Sequence, residues 1–162
     1  MIEIRPFHVS ETASARRLLH DAVRIGAAEF YSQEERRAWS ASPTPEPEWR
    51  DRVADHITLM AYEVLPELDV LAGFGTIRRD GYIDFLFVAP DKRRTGLAGQ
   101  IYDGLLDALP DPKPETLTVR ASLYARPFLE RRGWQVTGDA SEERNGQTLQ
   151  TFHMARPYSR DA

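Results

Sequence analysis

The most constraining feature of this sequence is a strand, a basic loop and a helix that follow one another between residues 82 and 109. Residues 82–88 are aromatic, aliphatic or β-branched apart from Asp84, which is typical of a buried strand. A proline-containing turn follows, and from Leu97 onward apolar residues recur every three or four positions. This spacing predicts a helix that begins near Gly96.

A strand that leads through such a loop into a helix is suited to bind phosphate. The first N–H groups of a helix have no partner within the helix, and the helix dipole makes that end positive. Gly96, Ala98 and Gly99 are small enough to let a ligand approach the backbone, and the basic residues 92–94 can neutralise a diphosphate. A plain helix start with solvated basic residues is the alternative.

Two common phosphate-binding motifs do not fit this loop. A P-loop requires Gly-Lys-Ser/Thr before its helix, whereas Gly96 is followed by Leu97 and Ala98. A dinucleotide-binding fingerprint requires G-x-G-x-x-G between strand and helix, and the glycines here lack that spacing.

The segment Arg93-x-x-Gly96-x-Ala98 resembles the R/Q-x-x-G-x-G/A signature of the GNAT superfamily of acyl-CoA-dependent N-acyltransferases. Residues 121–134 resemble the family's second signature, which ends in aromatic-Tyr/Phe-Glu-Arg-x-Gly-Phe/Trp. Together with residues 30–39 and 151–157, these segments make nearly the whole chain similar to a bacterial single-domain GNAT subgroup.

The order of predicted elements agrees with this resemblance. Residues 57–64, 70–79 and 82–88 predict an antiparallel meander, and 116–119 predicts a strand parallel to the last of these. The full order is β-α-α-α-β-β-β-α-β-α-β-β. We therefore expect residues 1–162 to form one α/β (α+β) GNAT domain, with a mixed, mostly antiparallel central sheet of about six or seven strands flanked by helices.

Composition narrows the class of protein. The chain has 162 residues and a net charge of −4, which argues against a nucleic-acid partner. It has no cysteine and no apolar run of the roughly 20 residues that span a membrane. Its four histidines lack metal-ligand spacing, so we expect no metal site. We expect a cytoplasmic protein, either a monomer or a homodimer, with no membrane partner.

The resemblance implies a site for acetyl-CoA along the central strand and the loop. The strand's backbone would pair with the pantetheine arm, the loop would hold the pyrophosphate, and a serine would replace an asparagine common near the pantetheine. The residues implied are Leu86, Phe87, Val88, Arg93, Arg94, Thr95, Gly96, Leu97, Ala98, Gly99 and Ser122.

One departure from the family pattern affects the chemistry. Relatives carry a general-acid tyrosine in the aromatic-Tyr-Glu segment, and this chain has Leu129 there. Leucine cannot donate a proton to the departing thiolate, so the proton must come from elsewhere, from water or from the collapsing intermediate. Tyr124 is a nearby substitute on a different helical phase.

Asp84 is the first candidate for the base that accepts the amine's proton. Period-two alternation predicts that Tyr82, Asp84, Leu86 and Val88 share one face of the strand. A carboxylate in such an apolar run is either paired or functional, because burying it alone is costly.

Tyr31 is the second catalytic candidate, since helical insertions line the acceptor pocket in this family. The alternative is that Tyr31 is a packed aromatic residue.

The resemblance also implies an acceptor pocket beside the cofactor. Its candidate residues are Phe30, Tyr31, Trp39, Tyr82 and His153.

The function expected is transfer of an acetyl group from acetyl-CoA to a primary amine of a small molecule or peptide, directly within a ternary complex. The alternative is a non-catalytic GNAT-fold module that binds coenzyme A or acyl-CoA. An Asp84 free in the pocket would favour the enzyme, and an Asp84 held in a salt bridge would favour the module.

Overall fold

A single seven-stranded sheet, in the order β1-β2-β3-β4-β5-β7-β6, runs through the centre of the molecule. The structure is a computed structural model that describes residues 1–159; residues 160–162 of the expected domain lie outside this range. The strands are β1 (Ile2–Pro6), β2 (Ile57–Val64), β3 (Asp69–Ile77), β4 (Tyr82–Val88), β5 (Thr116–Ser122), β6 (Gln135–Arg144) and β7 (Gln147–Pro157). Neighbouring strands are antiparallel except β4 and β5.

Five α-helices flank this sheet. They are α1 (Thr12–Asp21), α2 (Gln33–Trp39), α3 (Pro47–Ala54), α4 (Leu97–Ala108) and α5 (Arg126–Arg131). A π-helical turn, Ala22–Gly26, continues α1. The element order and the mixed, mostly antiparallel sheet are those predicted, so the fold-class prediction is confirmed. No helix within residues 1–159 has both the length and the apolar character needed to cross a membrane.

Local sequence explains where several helices start. Ser32 caps α2 by accepting a hydrogen bond from the Glu35 backbone, while the Glu35 carboxylate accepts one from the Ser32 backbone. Pro47 occupies the first turn of α3, where its missing N–H has no helical partner to lose. Ser32 and Glu35 therefore form a capping box at the start of α2.

The helices cover the two faces of the sheet. On one face, α4 packs Ile101 and Leu105 against Gly73 and Gly75 of β3, at distances that leave no room for a side chain on either glycine. On the other face, α1 and α3 bury the aromatic side of β3 and β4, including Phe74. The core thus lies in two layers separated by the sheet.

The sheet opens between β4 and β5, the one parallel pair of strands within residues 1–159. β4 and β5 are paired only at Tyr82–Thr118 and Ile83–Val119, and beyond these residues the strands separate. The carbonyl oxygens of Phe85 and Phe87 lie against β3. Since alternate residues of an antiparallel pair turn their backbone groups to opposite sides, Leu86 and Val88 turn theirs toward the opening. The backbone N–H and C=O groups of Leu86 and Val88 are therefore available to pair with an added chain.

Asp84 lies in a β-bulge. Thr76 pairs with Phe85 and Ile77 pairs with Ile83, which leaves Asp84 as the extra residue of β4. The prediction that Asp84 shares a face with Leu86 and Val88 is wrong for this reason. Instead, Asp84 lies on the side of the sheet covered by α3, near Phe85.

Candidate active site

Two cavities meet at the opening between β4 and β5. The first, here called the loop cavity, has a volume of about 300 Å³ and lies between the end of β4, the start of α4 and α5. Its lining is basic on one side and aromatic or aliphatic on the other. The lining residues are Phe30, Leu86, Val88, Lys92, Arg93, Arg94, Gly96, Ala98, Gly99, Tyr124, Ala125, Pro127, Phe128 and Arg131.

The start of α4 gives the loop cavity a set of free backbone donors. Gly96 adopts φ +87° as the N-cap residue, and no side chain caps the helix. A Cβ placed on Gly96 would meet no atom within 4 Å, so the space above it is open. Since the first N–H groups of a helix have no partners in the helix, this opening suits a phosphate oxygen.

Basic side chains surround the same opening, and they differ in their acidic partners and in their exposure. Lys92 is 2.5 Å from the Glu63 carboxylate, and hydrogen bonding to that carboxylate raises the pKa of Lys92. Arg93 lies 3.4 Å from Glu29, whereas Arg94 has a side chain that is 82% exposed. Arg131 also lines the cavity, and sequence reasoning missed it because nothing in its segment distinguishes it from a solvated helix residue.

Other predicted loop residues have structural roles for their side chains. Leu97 is buried in the core, and the Thr95 hydroxyl donates to the Lys92 carbonyl at 2.6 Å, so either could reach a ligand only through its backbone. Gly99 lines the cavity, but a side chain there would clash with the Arg132 guanidinium. Arg132 is held by Asp103 at 2.8 Å, so the small size of Gly99 makes room for Arg132.

The second cavity, here called the sheet cavity, has a volume of about 200 Å³ and lies under α1, α2 and α3. Its lining combines four arginines, two acids and several aromatic rings. The residues are Arg16, Leu19, Trp39, Trp49, Arg52, Tyr82, Ile83, Asp84, Phe85, Leu86, Phe87, Val119, Arg120, Ala121, Ser122, Tyr124, Ala125, Leu129, Glu142, Arg144 and Thr151. Leu86, Tyr124 and Ala125 line both cavities and mark where they meet.

Asp84 lines the sheet cavity as a member of an ion pair. Its carboxylate accepts from Arg52 Nη2 at 2.5 Å and from Arg52 Nε at 3.2 Å, and its side chain is 8% exposed. Burial lowers the pKa of Arg52, but the hydrogen bonds and charge of Asp84 outweigh this and raise it. Sequence reasoning missed Arg52, because nothing in α3 signals that it faces a strand 32 residues away.

Tyr31 is not part of either cavity lining. Its ring is 4% exposed, and its hydroxyl donates to the Gln150 carbonyl at 2.6 Å and accepts from the Leu123 N–H at 2.9 Å. Burial raises the pKa of this hydroxyl, and the Leu123 hydrogen bond partly opposes the rise. Burial and these two hydrogen bonds give Tyr31 a role in packing; its catalytic and pocket roles stay predictions.

The remaining predicted pocket residues are divided between the two cavities. Trp39 and Tyr82 line the sheet cavity, whereas Phe30 lines the loop cavity and packs edge-to-face on Tyr124 at 5.7 Å. His153 is exposed on β7 and is absent from the linings of both cavities; its predicted place in the acceptor pocket stays a prediction.

Two of the residues predicted to contact the cofactor, Phe87 and Ser122, line the sheet cavity. Phe87 points its ring there, 6.2 Å from Trp39. The Ser122 hydroxyl accepts from the Ala125 N–H at 3.0 Å, which shapes the turn into α5.

Tyr124 is the residue with an ionisable hydroxyl that lines both cavities. Burial raises its pKa above the ordinary value of 10.0, and the Arg93 guanidinium, 5.1 Å above the ring, partly opposes the rise. The hydroxyl therefore carries its proton at neutral pH. Leu129, which replaces the family's tyrosine, is 2% exposed and packs in the core at the edge of the sheet cavity.

A split sheet, an uncapped helix start beside basic residues and an adjoining second cavity are the arrangement that an acyl-CoA-dependent transferase requires. A family model described as an acetyltransferase (GNAT) domain matches residues 27–156. The chain belongs to the GNAT acetyltransferase family, which confirms the predicted family, enzyme class and acetyl-CoA cofactor.

Individual relatives extend this match to nearly the full chain. The N-acetyltransferase YafP of Escherichia coli is 28% identical over 153 residues, which cover 94% of each chain. A GCN5-related N-acetyltransferase structure from Rhodopseudomonas palustris superposes with a TM-score of 0.85 at 24% identity, over 96% of this chain and 94% of that chain. YncA of Salmonella typhimurium, solved with its cofactor acetyl-CoA, has a TM-score of 0.64 at 15% identity, over 100% and 96% of the chains.

Proposed function

We propose that this enzyme transfers the acetyl group of acetyl-CoA directly to a primary amine while both are bound. The observation that carries this proposal is that the loop cavity and the sheet cavity meet at Leu86, Tyr124 and Ala125. A cofactor in the first cavity and an amine in the second would then face each other there. The chain has no cysteine to hold the acetyl group in between, which also favours direct transfer.

The cofactor's place is proposed from the free backbone groups. Leu86 and Val88 turn their N–H and C=O groups toward the opening, where a pantetheine arm could pair with them as a strand would. The uncapped start of α4 and Arg93, Arg94 and Arg131 would hold the pyrophosphate and phosphate charges. Acetyl-CoA supplies an activated thioester, so this chain's residues need only position it and manage protons.

Tyr124 is the residue we propose as the acid. It lines the junction of the cavities and keeps its proton at neutral pH, so its hydroxyl can give that proton to the departing sulfur. Tyr124 would thus supply the proton that Leu129 cannot donate to the departing thiolate.

Asp84 remains the proposed proton acceptor, under one condition. Both of its carboxylate oxygens are bound by Arg52, whose side chain is 48% exposed and free to move outward. An incoming amine would have to displace Arg52 before passing a proton to Asp84, directly or through water. The salt bridge that was expected to mark a non-catalytic module therefore does not separate the two functions, because it lies in the cavity that the amine would enter.

The experiment that tests the proposal is a thiol-release assay with acetyl-CoA and a panel of primary amines and aminoacylated compounds. The acetylated product is identified by mass spectrometry. We expect thiol release that depends on one class of amine, with acetylation on nitrogen. Tight binding of acetyl-CoA without release for any member of the panel would instead support the binding module.

A further inference from the structure

Within residues 1–159, two arginines of the sheet cavity lining have no ion pair, Arg16 of α1 and Arg120 of β5; Arg120 is exposed, whereas Arg16 is half-buried. Arg52 is paired with Asp84 at 2.5 Å and Arg144 with Glu142 at 2.7 Å. Within residues 1–159, no carboxylate lies within ion-pair distance of Arg16, and its one hydrogen bond goes to the Ser40 hydroxyl at 3.0 Å. The other N–H groups of its guanidinium thus have no acceptor in this part of the chain.

The electrostatic surroundings of Arg16 favour an anion. Burial lowers the pKa of Arg16, Glu46 opposes this from beyond ion-pair distance, and Arg144 adds to it by repulsion. Counted over the whole lining, four arginines face only two carboxylates, Asp84 and Glu142. Because a second positive charge lies near a half-buried guanidinium, one negative charge bound between them would relieve the repulsion.

Arg16 is also held in position by a hydrogen-bond chain through Ser40 and His20. Ser40 is fully buried, and its hydroxyl lies 2.7 Å from His20 Nδ1 while accepting from Arg16. Burial, followed by the charges of Arg24 and Arg16, lowers the pKa of His20, so its ring is neutral at neutral pH and can accept the Ser40 proton. This chain of hydrogen bonds fixes the guanidinium before any ligand arrives.

Two further polar atoms of the cavity lining have no partner within the described chain. Trp49 Nε1 and Thr151 Oγ1 are both buried without a hydrogen bond. The Arg16 guanidinium lies 5.9 Å from the centre of the Trp49 ring. Since buried donors are normally satisfied, an acceptor oxygen brought by a ligand, or by water bound with it, would complete this environment.

We infer that the amine accepted by this enzyme carries a carboxylate, which Arg16 binds in the sheet cavity. This inference rests on the proposed function and names its substrate class: a small amino acid or related amino carboxylate. A planar carboxylate matches the two-pronged edge of a guanidinium. The Glu142 carboxylate beside Arg144 disfavours a doubly charged group such as a phosphate monoester, and a cavity volume of about 200 Å³ suits a small acceptor.

The test compares amino acids with the amines formed by removing their carboxylates, for example leucine with 3-methylbutylamine and phenylalanine with phenethylamine. For the wild type we expect kcat/KM to favour the carboxylate-bearing member of at least one pair. In Arg16→Gln this preference ratio should fall about 10- to 100-fold, as expected for one lost charge-assisted hydrogen-bonding group, and Arg16→Lys should keep part of it.

Arg17→Gln is the matched control. Arg17 is the next residue of α1, carries the same charge, and points into solvent with a 68% exposed side chain paired with Asp21. Its substitution should leave the preference ratio at the wild-type value. A wild type that prefers the decarboxylated amines, or a preference that persists in Arg16→Gln, would overturn the inference.

A binding arm separates failure of this inference from failure of the proposed function. Calorimetry with coenzyme A present measures the affinity of N-acetylleucine against N-acetyl-3-methylbutylamine. If no amine is acetylated but the carboxylate compound binds in an Arg16-dependent way, the inference stands and the transferase proposal fails. If neither compound binds, or both bind equally in wild type and Arg16→Gln, the inference fails.

Discussion

At Asp84, both carboxylate oxygens accept hydrogen bonds from Arg52, so proton transfer there requires the amine to take the guanidinium's place. Tyr124, by contrast, lines the junction of the two cavities, and burial raises the pKa of its hydroxyl, so it retains its proton at neutral pH. In the proposed mechanism, the chemistry therefore needs one proton acceptor that must be released from its ion pair and one proton donor that is already in place.

Asp84→Asn keeps the shape of the side chain and removes the base. If Asp84 accepts the amine's proton, kcat/KM at neutral pH should fall about 100- to 10,000-fold and recover partly at high pH, where more amine is unprotonated. Arg52→Gln removes the partner but leaves the carboxylate, so its loss should be smaller. The measurement is the pH profile of kcat/KM for both variants, with acetyl-CoA affinity as the control. Equal losses in both variants at every pH would mean that Asp84 only holds Arg52.

Tyr124→Phe removes the proposed acid and retains the ring beneath Arg93. We expect kcat to fall by about 100-fold or more, while the affinity for acetyl-CoA, measured by calorimetry, stays close to that of the wild type. An unchanged kcat in this variant would assign protonation of the thiolate to water.

At the scale of elements, β4, the loop and α4 form the unit that we propose holds the cofactor. The strand ends with free backbone groups at Leu86 and Val88, and the helix begins at an uncapped turn around Gly96. Because the opening of the sheet lies between these two ends, a ligand could contact both at once.

Gly96→Glu should abolish acetyl-CoA binding, because it places a side chain and a negative charge in the open space above the helix start. Gly146→Glu is its control, since Gly146 also has a positive φ, +83°, with open space around it, but lies in the β6–β7 turn. Both variants should lose a similar free energy of unfolding, about 1–2 kcal/mol. Calorimetry that shows wild-type affinity in a folded Gly96→Glu protein would place the site elsewhere.

The sequence predicted this unit well because its signals are local. An apolar run bounded by turn residues and a glycine before a helical pattern each depend on a few neighbouring residues. The bulge at Asp84 and the separation of β4 from β5 depend on pairing with strands elsewhere in the chain, so alternation alone assigned Asp84 to the wrong face. Arg52 and Arg16 were missed for the same reason, since their roles arise from what α3 and α1 face.

At the scale of the whole molecule, the helices α1–α3 close over the sheet and form the second cavity. Tyr31 fastens this insertion to the sheet, because its hydroxyl bridges backbone groups of Leu123 and Gln150, which lie 92 and 119 positions away in the chain. The site is thus assembled from both ends of the sequence.

Tyr31→Phe tests this fastening role. The change leaves the Leu123 N–H and the Gln150 carbonyl without their partner, so the free energy of unfolding should fall by about 1–3 kcal/mol. Because Tyr31 lies in neither cavity lining, turnover should remain within about threefold of the wild type at a temperature where the variant is folded. A large loss of kcat with unchanged stability would mean that Tyr31 takes part in catalysis.

The steady-state initial-velocity pattern tests direct transfer most directly. Thiol release is measured while acetyl-CoA is varied at several fixed concentrations of an accepted amine. Because the two cavities meet and the chain has no cysteine to hold the acetyl group, we predict double-reciprocal lines that intersect, as a ternary complex requires. Parallel lines, together with a stoichiometric burst of free coenzyme A in the absence of amine, would reveal an acetylated enzyme and contradict the account.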